Sequence, residues 1–121
     1  MVIITNNPLV KEKLTQYVVE FEDCSYIDIL NKVRYKIHSG HRLMTHPLYG
    51  SVKPYETMYR TVVLEEGKDL DLESLSLIED AIVVTETFIR NKRMRNWPES
   101  VIEDFQVIDL DLIEQTLQRF I

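Results

Sequence analysis

Val2-Ile-Ile-Thr-Asn-Asn-Pro8 is the stretch whose reading decides the fold. Val2-Ile3-Ile4 is a short unbroken apolar run, as expected of a strand buried on both faces. Asn7 followed by Pro8 reads as a helix N-cap and first helical residue. Val10, Leu14 and Tyr17 then recur at helical spacing, with Lys11, Glu12, Lys13 and Gln16 on the other face. Val18 to Phe21 makes a second strand. Ser25 caps a second helix whose Ile27, Leu30, Val33 and Ile37 form one stripe, and Gly40 stands where such a helix stops. Arg42 to Thr45 is a third strand. Strand, helix, strand, helix, strand implies a parallel sheet with right-handed crossovers.

The pattern breaks at His46 to Thr57, which is too rich in Pro and Gly for a crossover helix. Met58 to Glu65 resumes as a β-branched strand. Reached without a helix, it is most simply an antiparallel edge neighbour, though a dozen residues are also enough for a crossover, and its orientation stays open. The longest helix is expected from about Asp71 to about Arg95, with Leu75, Ile78, Ile82, Thr85 and Ile89 along one face. Asn96-Trp97-Pro98 ends it. Asp111 with Glu114 has the spacing of a capping box opening a terminal helix. Asp69-Leu-Asp-Leu and Asp109-Leu-Asp-Leu echo each other, and both read as helix entrances. The expected architecture is a single α/β domain over residues 1–121: a three-layer fold with a three- to four-stranded, mostly parallel sheet and helices on both faces.

Composition narrows the function classes. A chain of 121 residues buries enough surface to fold without disulfide or metal. Its net charge of −6 argues against general nucleic-acid binding. The single Cys24 excludes an internal disulfide and favours the cytoplasm. Met1 to Thr5 lacks the basic segment of a signal peptide, and no apolar run is long enough for a membrane span.

Chemistry-bearing residues concentrate between His38 and Pro54, which hold all three histidines and two of the three glycines. Ligands of open α/β sheets bind outside the carboxyl ends of the strands. Strand one ends in Thr5-Asn6-Asn7, and strand three in Thr45-His46, followed by Gly50, Ser51 and Lys53. Were strands one and three neighbours, the two segments would meet where the first helix points its N-terminus, a place suited to a carboxylate or phosphate. The competing reading is a tight turn in which Asn6 and Asn7 only cap the helix, and caps are far commoner than ligand sites.

Each remaining candidate has a plainer rival. His46, held by Pro47, is placed for acid–base chemistry, or equally to pin the loop through backbone groups. A catalytic alternative therefore rests on His46 and Lys53. His38, His41 and His46 need not converge, and no metal or cofactor is expected. Cys24 precedes a helix start, where a thiol pKa can fall, but it has no base or second Cys beside it and reads as a small packed side chain. Arg90, Lys92, Arg93 and Arg95 offer a contact for nucleic acid or an acidic partner, but they are also what a long helix favours at its C-terminal end. Trp97 and Phe105 read as packing anchors or, if exposed, as a protein interface. A Ser/His/Asp triad lacks the strand-to-helix elbow that would support it.

Two longer motifs carry a family resemblance. Ile3-Ile-Thr-Asn-Asn-Pro-Leu-Val10 and Gly40-His-Arg-Leu-Met-Thr-His-Pro-Leu-Tyr-Gly-Ser-Val-Lys-Pro54 resemble the GrdX family, small proteins encoded beside glycine, sarcosine and betaine reductase components in anaerobic bacteria. The resemblance implies an accessory or regulatory role in amino-acid reduction, with reductase components as partners. It implies no mechanism, and it marks Thr5, Asn6, Asn7, Thr45, His46, Gly50, Ser51 and Lys53 as motif positions only.

Overall fold

The computed structural model of the protein describes residues 1–48, 57–91 and 96–120. Among them lie four strands, β1 (Val2–Thr5), β2 (Val19–Phe21), β3 (Arg42–Leu43) and β4 (Thr61–Glu65). Four helices accompany them: α1 (Pro8–Lys13), α2 (Tyr26–His38), α3 (Leu72–Asn91) and α4 (Glu99–Gln118). The sheet order is β2-β1-β4-β3. The α/β architecture is as the sequence indicates, but the sheet is only partly parallel. β1, β2 and β3 run the same way, yet the one parallel pairing is β1 with β2. β4 inserts antiparallel between β1 and β3, so it is a central strand and not an edge, and β1 and β3 are not neighbours. Its burial explains the placement. Val62, Val63 and Leu64 are all fully buried, which a strand covered on one side only would not require.

Alternation along the central strands divides the core in two. Val2, Ile4, Val62 and Leu64 face α2 and α3, packing on Ile29, Leu30, Val33, Ile37 and Ile78. Ile3 and Val63 face the other way, onto Val10, Leu14, Ile113 and Leu117 from α1 and α4. The two-residue period of a strand thus feeds both layers from one apolar run. Burying each of these aliphatic side chains contributes about 1.5–3 kcal/mol.

The helix ends follow their sequence signals with one exception. Ser25 and Asp28 form a reciprocal capping box on α2. Gly40 follows that helix at φ +105°, a conformation that favours glycine, and a Cβ there would lie 2.8 Å from the carbonyl oxygen of Gly67. Asp71 accepts the amide of Ser74 at the start of α3, while the Ser74 hydroxyl donates to Asp71 and accepts the Leu43 amide from β3. The Ser74 hydroxyl, ahead of the nearby Arg42, holds the Asp71 carboxyl below its ordinary range. A depressed acid stabilises above its unfolded pKa of ~3.9, and that contribution is lost as pH falls through the folded value.

The exception is the last helix. Asp111 and Glu114 do not open it; α4 begins at Glu99 behind Pro98 and runs through both. Asp111 instead accepts a hydrogen bond from Gln115 one turn on, so the capping-box spacing is here a helix-surface pair. Four other boundaries shorten: α1 ends at Lys13 before Tyr17, β2 begins at Val19, β3 spans only Arg42–Leu43, and β4 begins at Thr61. The far end of the predicted long helix, Lys92, Arg93 and Arg95, lies outside the described residues.

Candidate functional site: a buried polar network at the strand edge

The C-terminal end of β1 is polar and closed to solvent. Thr5 and Asn7 are fully buried, and Asn6 is 4% exposed. Beside them lie Arg60 and Thr61 at the entrance of β4 and Asp109 in the middle of α4, all buried. Such groups persist in an interior only when they satisfy one another.

Their hydrogen bonds have one consistent direction. An ionised carboxylate only accepts, so the Thr61 hydroxyl, 2.6 Å from Asp109 Oδ2, donates to it. The Thr5 hydroxyl must then donate to Thr61 Oγ1 at 2.7 Å, leaving its own oxygen to accept the Asn7 amide at 2.9 Å. Asn7 Nδ2 donates to the Gln106 carbonyl and to Asp109 Oδ2, while Asn7 Oδ1 accepts the Leu9 amide as the cap of α1. Gln106 Nε2 donates to the Tyr59 hydroxyl. The 106–109 turn of α4 is thereby fastened to the ends of β1 and β4.

Asn6 ties down the other side. Its Nδ2 donates to the carbonyls of Cys24 and Met58, and its Oδ1 accepts the Arg60 amide at 2.8 Å. The Arg60 guanidinium lies 3.8 Å from Asp109 Oδ1, 5.4 Å above the Tyr26 ring, and donates to the Pro47 carbonyl. At 3.8 Å the contact with Asp109 is an ion pair without a hydrogen bond. Burial raises the Tyr26 phenol, opposed by the charge of Arg60.

The predicted site residues divide accordingly. Thr5–Asn7 and Thr45–Pro47 do lie at the same end of the sheet, with β4 between them. Both amide protons of Asn6 and of Asn7 are used internally. The amides of Leu9, Val10 and Lys11 all bond to Asn7, so the six-residue α1 presents no free donors of its first turn. Thr45 is buried, its hydroxyl accepting the Val63 amide. His46 is exposed, and its Nδ1 accepts the Leu48 amide, the loop-pinning arrangement. Gly50, Ser51 and Lys53 lie outside the described residues.

Sequence reasoning missed Arg60 and Asp109. Arg60 sits in an otherwise apolar strand entrance, and a charge there was a usable signal of a buried partner. Among the described residues, no three His, Cys, Asp or Glu side chains converge as metal ligands.

A crevice of about 270 Å³ opens beside Asn6, lined by Phe21, Asp23, Cys24, Met58 and Tyr59. Its thiol is not activated. Burial first, then a hydrogen bond and the charge of Glu22, push the Cys24 pKa up to about 11. The expected consequence is alkylation by iodoacetamide at pH 7.5 about 100-fold slower than in the guanidinium-unfolded chain, since the thiolate is the nucleophile. Equal rates in the two states would contradict the assignment.

No helix among the described residues is long and apolar enough to cross a membrane. Neither a curated protein nor a solved structure matches the chain. The family model described as GrdX-like protein matches residues 2–118, which takes in both strand-end motifs and the α4 turn that carries Asp109, and the chain belongs to that family.

Proposed function

We propose that this protein is a cytoplasmic accessory component of a glycine reductase system, and that it holds a small carboxylate or phosphate ligand at the strand edge. Membership of the GrdX-like family over residues 2–118 supports the first part. The second rests on one observation: the Asn6–Asn7 and Thr45–Pro47 segments share an edge of the sheet, joined through Arg60.

In this reading the two segments have different tasks. Thr5, Asn6 and Asn7 use their donors within the fold and brace the edge, Asn6 through the Arg60 amide. The crevice beside Asn6 has Asp23 as its charged lining group, which repels an anion. The ligand therefore belongs on the β3 side, against Thr45, His46 and the following Gly50, Ser51 and Lys53. Lys53 supplies charge there, and Ser51 with backbone amides supplies direction. His46 Nδ1 accepts a hydrogen bond from the Leu48 amide, which favours a holding role over an acid–base one.

Mixing the purified protein with each purified reductase component, followed by sedimentation velocity, tests the accessory role. A co-sedimenting complex with at least one component is expected. Independent sedimentation from every component, with and without glycine, would overturn it.

A further inference from the structure

β2 is an edge strand, and its outer side is built like a receptor for another strand. The ladder to β1 uses the Val18 carbonyl, which accepts the Ile3 amide at 2.9 Å, and the Glu22 amide, which donates to Thr5 at 3.1 Å. Even-numbered positions thus point inward. By the alternation of a parallel ladder, the N–H and C=O groups of Val19 and Phe21 point out from the sheet. Natural sheets blunt such an edge with proline, a bulge, a covering element, shortness or flanking lysines. The three-residue β2 has the last two, which discourage indiscriminate pairing but leave the outward groups open to an acidic strand. Here the edge borders a groove of about 680 Å³.

The groove has a definite charge character. Lys11 from α1 flanks the edge on one face of the sheet, and Lys32 and Lys36 from α2 flank it on the other. Lys36 pairs with Glu20 and Lys32 with Glu22, while the Lys11 ammonium lies 5.2 Å over the Phe21 ring. The residues that line the groove itself thus carry three ammonium groups, Lys11, Lys32 and Lys36, and one carboxylate, Glu20, in a chain whose net charge is −6. Tyr35, 73% exposed, adds an apolar wall.

We propose that the β2 edge docks an extended acidic segment of a partner protein as an added strand. Backbone bonds to Val19 and Phe21 would supply the pairing, and Lys11, Lys32 and Lys36 would select Asp and Glu side chains. Charge decides against a second copy of this chain. Antiparallel pairing of two β2 edges about a two-fold axis brings identical faces together, placing Lys11 beside Lys11 and Lys36 beside Lys36. The inference goes beyond the strand-edge ligand and does not depend on it.

The test is a titration of the ¹⁵N-labelled protein with acetylated heptapeptides alternating Glu with Val or Thr. Saturable shifts centred on the Val19 and Phe21 amides are expected. Affinity should fall as salt is raised, and by about fivefold in Lys11→Glu. The Lys/Val/Thr counterpart, and the Glu peptide with alternate amides N-methylated, should bind far less. Shifts elsewhere, equal binding of the basic or N-methylated peptide, or no saturable shift would overturn the proposal. So would concentration-dependent dimerisation that perturbs these amides without peptide, which would assign the edge to a second copy.

Discussion

Replacing Asp109 by alanine is expected to destabilise the protein by about 3–5 kcal/mol, the usual cost of breaking a buried ion pair by removing one partner. The Arg60 guanidinium would lose the Asp109 carboxylate in an interior where both side chains are 4% exposed. The Thr61 hydroxyl and one Asn7 amide proton would lose their acceptor as well. Asp109→Asn keeps the size of the side chain but not the charge. It should recover part of the loss, because an amide oxygen can still accept from Thr61. Urea unfolding of the three proteins measures this directly. A loss below about 1 kcal/mol for Asp109→Ala would mean that the network does not hold α4 to the sheet.

Asn6→Ala is the second large effect. One side chain serves three backbone groups, the carbonyls of Cys24 and Met58 and the amide of Arg60. Each buried backbone group left without a partner costs about 1–3 kcal/mol. Some readmitted water will offset this, so a total of about 3 kcal/mol is expected. The location of the damage is also specific. Hydrogen exchange should quicken at Arg60, whose amide loses its acceptor, while the α2–α3 layer stays protected. Uniform loss of protection would show Asn6 acting on global stability alone.

These two residues mark the limits of what the sequence discloses. The β1–α1–β2–α2 portion was legible because each signal there is local: an apolar run, Asn7 before Pro8, Ser25 with Asp28, Gly40 after Ile37. The position of β4 was not legible. Strand order is decided by which faces need covering, and a strand reached through a long loop can pair on either side of β1 or β3. Asp109 shows the same limit at the scale of one side chain. Asp69-Leu-Asp-Leu and Asp109-Leu-Asp-Leu are identical tetrapeptides, and Asp71 in the first does cap α3. The second lies in the body of α4, where Asp109 meets Arg60, 49 positions earlier. The segment from Thr5 to Asn7 reads as a functional candidate through its polarity at a strand end. That polarity is fully accounted for by internal bonds, because a strand end enclosed by α4 demands the same residue types as one that holds a ligand.

The ligand at the strand edge is the claim most exposed to a single measurement, a thermal-shift screen of the wild-type protein beside Lys53→Ala. The panel is glycine, sarcosine, betaine, acetyl phosphate, phosphate and nucleotides. A ligand at 100 times its dissociation constant stabilises by about 2.7 kcal/mol, a shift of a few degrees or more for a domain of this size. At least one carboxylate or phosphate compound should raise the wild-type midpoint. Lys53→Ala should lose that shift while keeping its own unliganded midpoint. No shift with any member of the panel, or an equal shift in Lys53→Ala, would contradict the account.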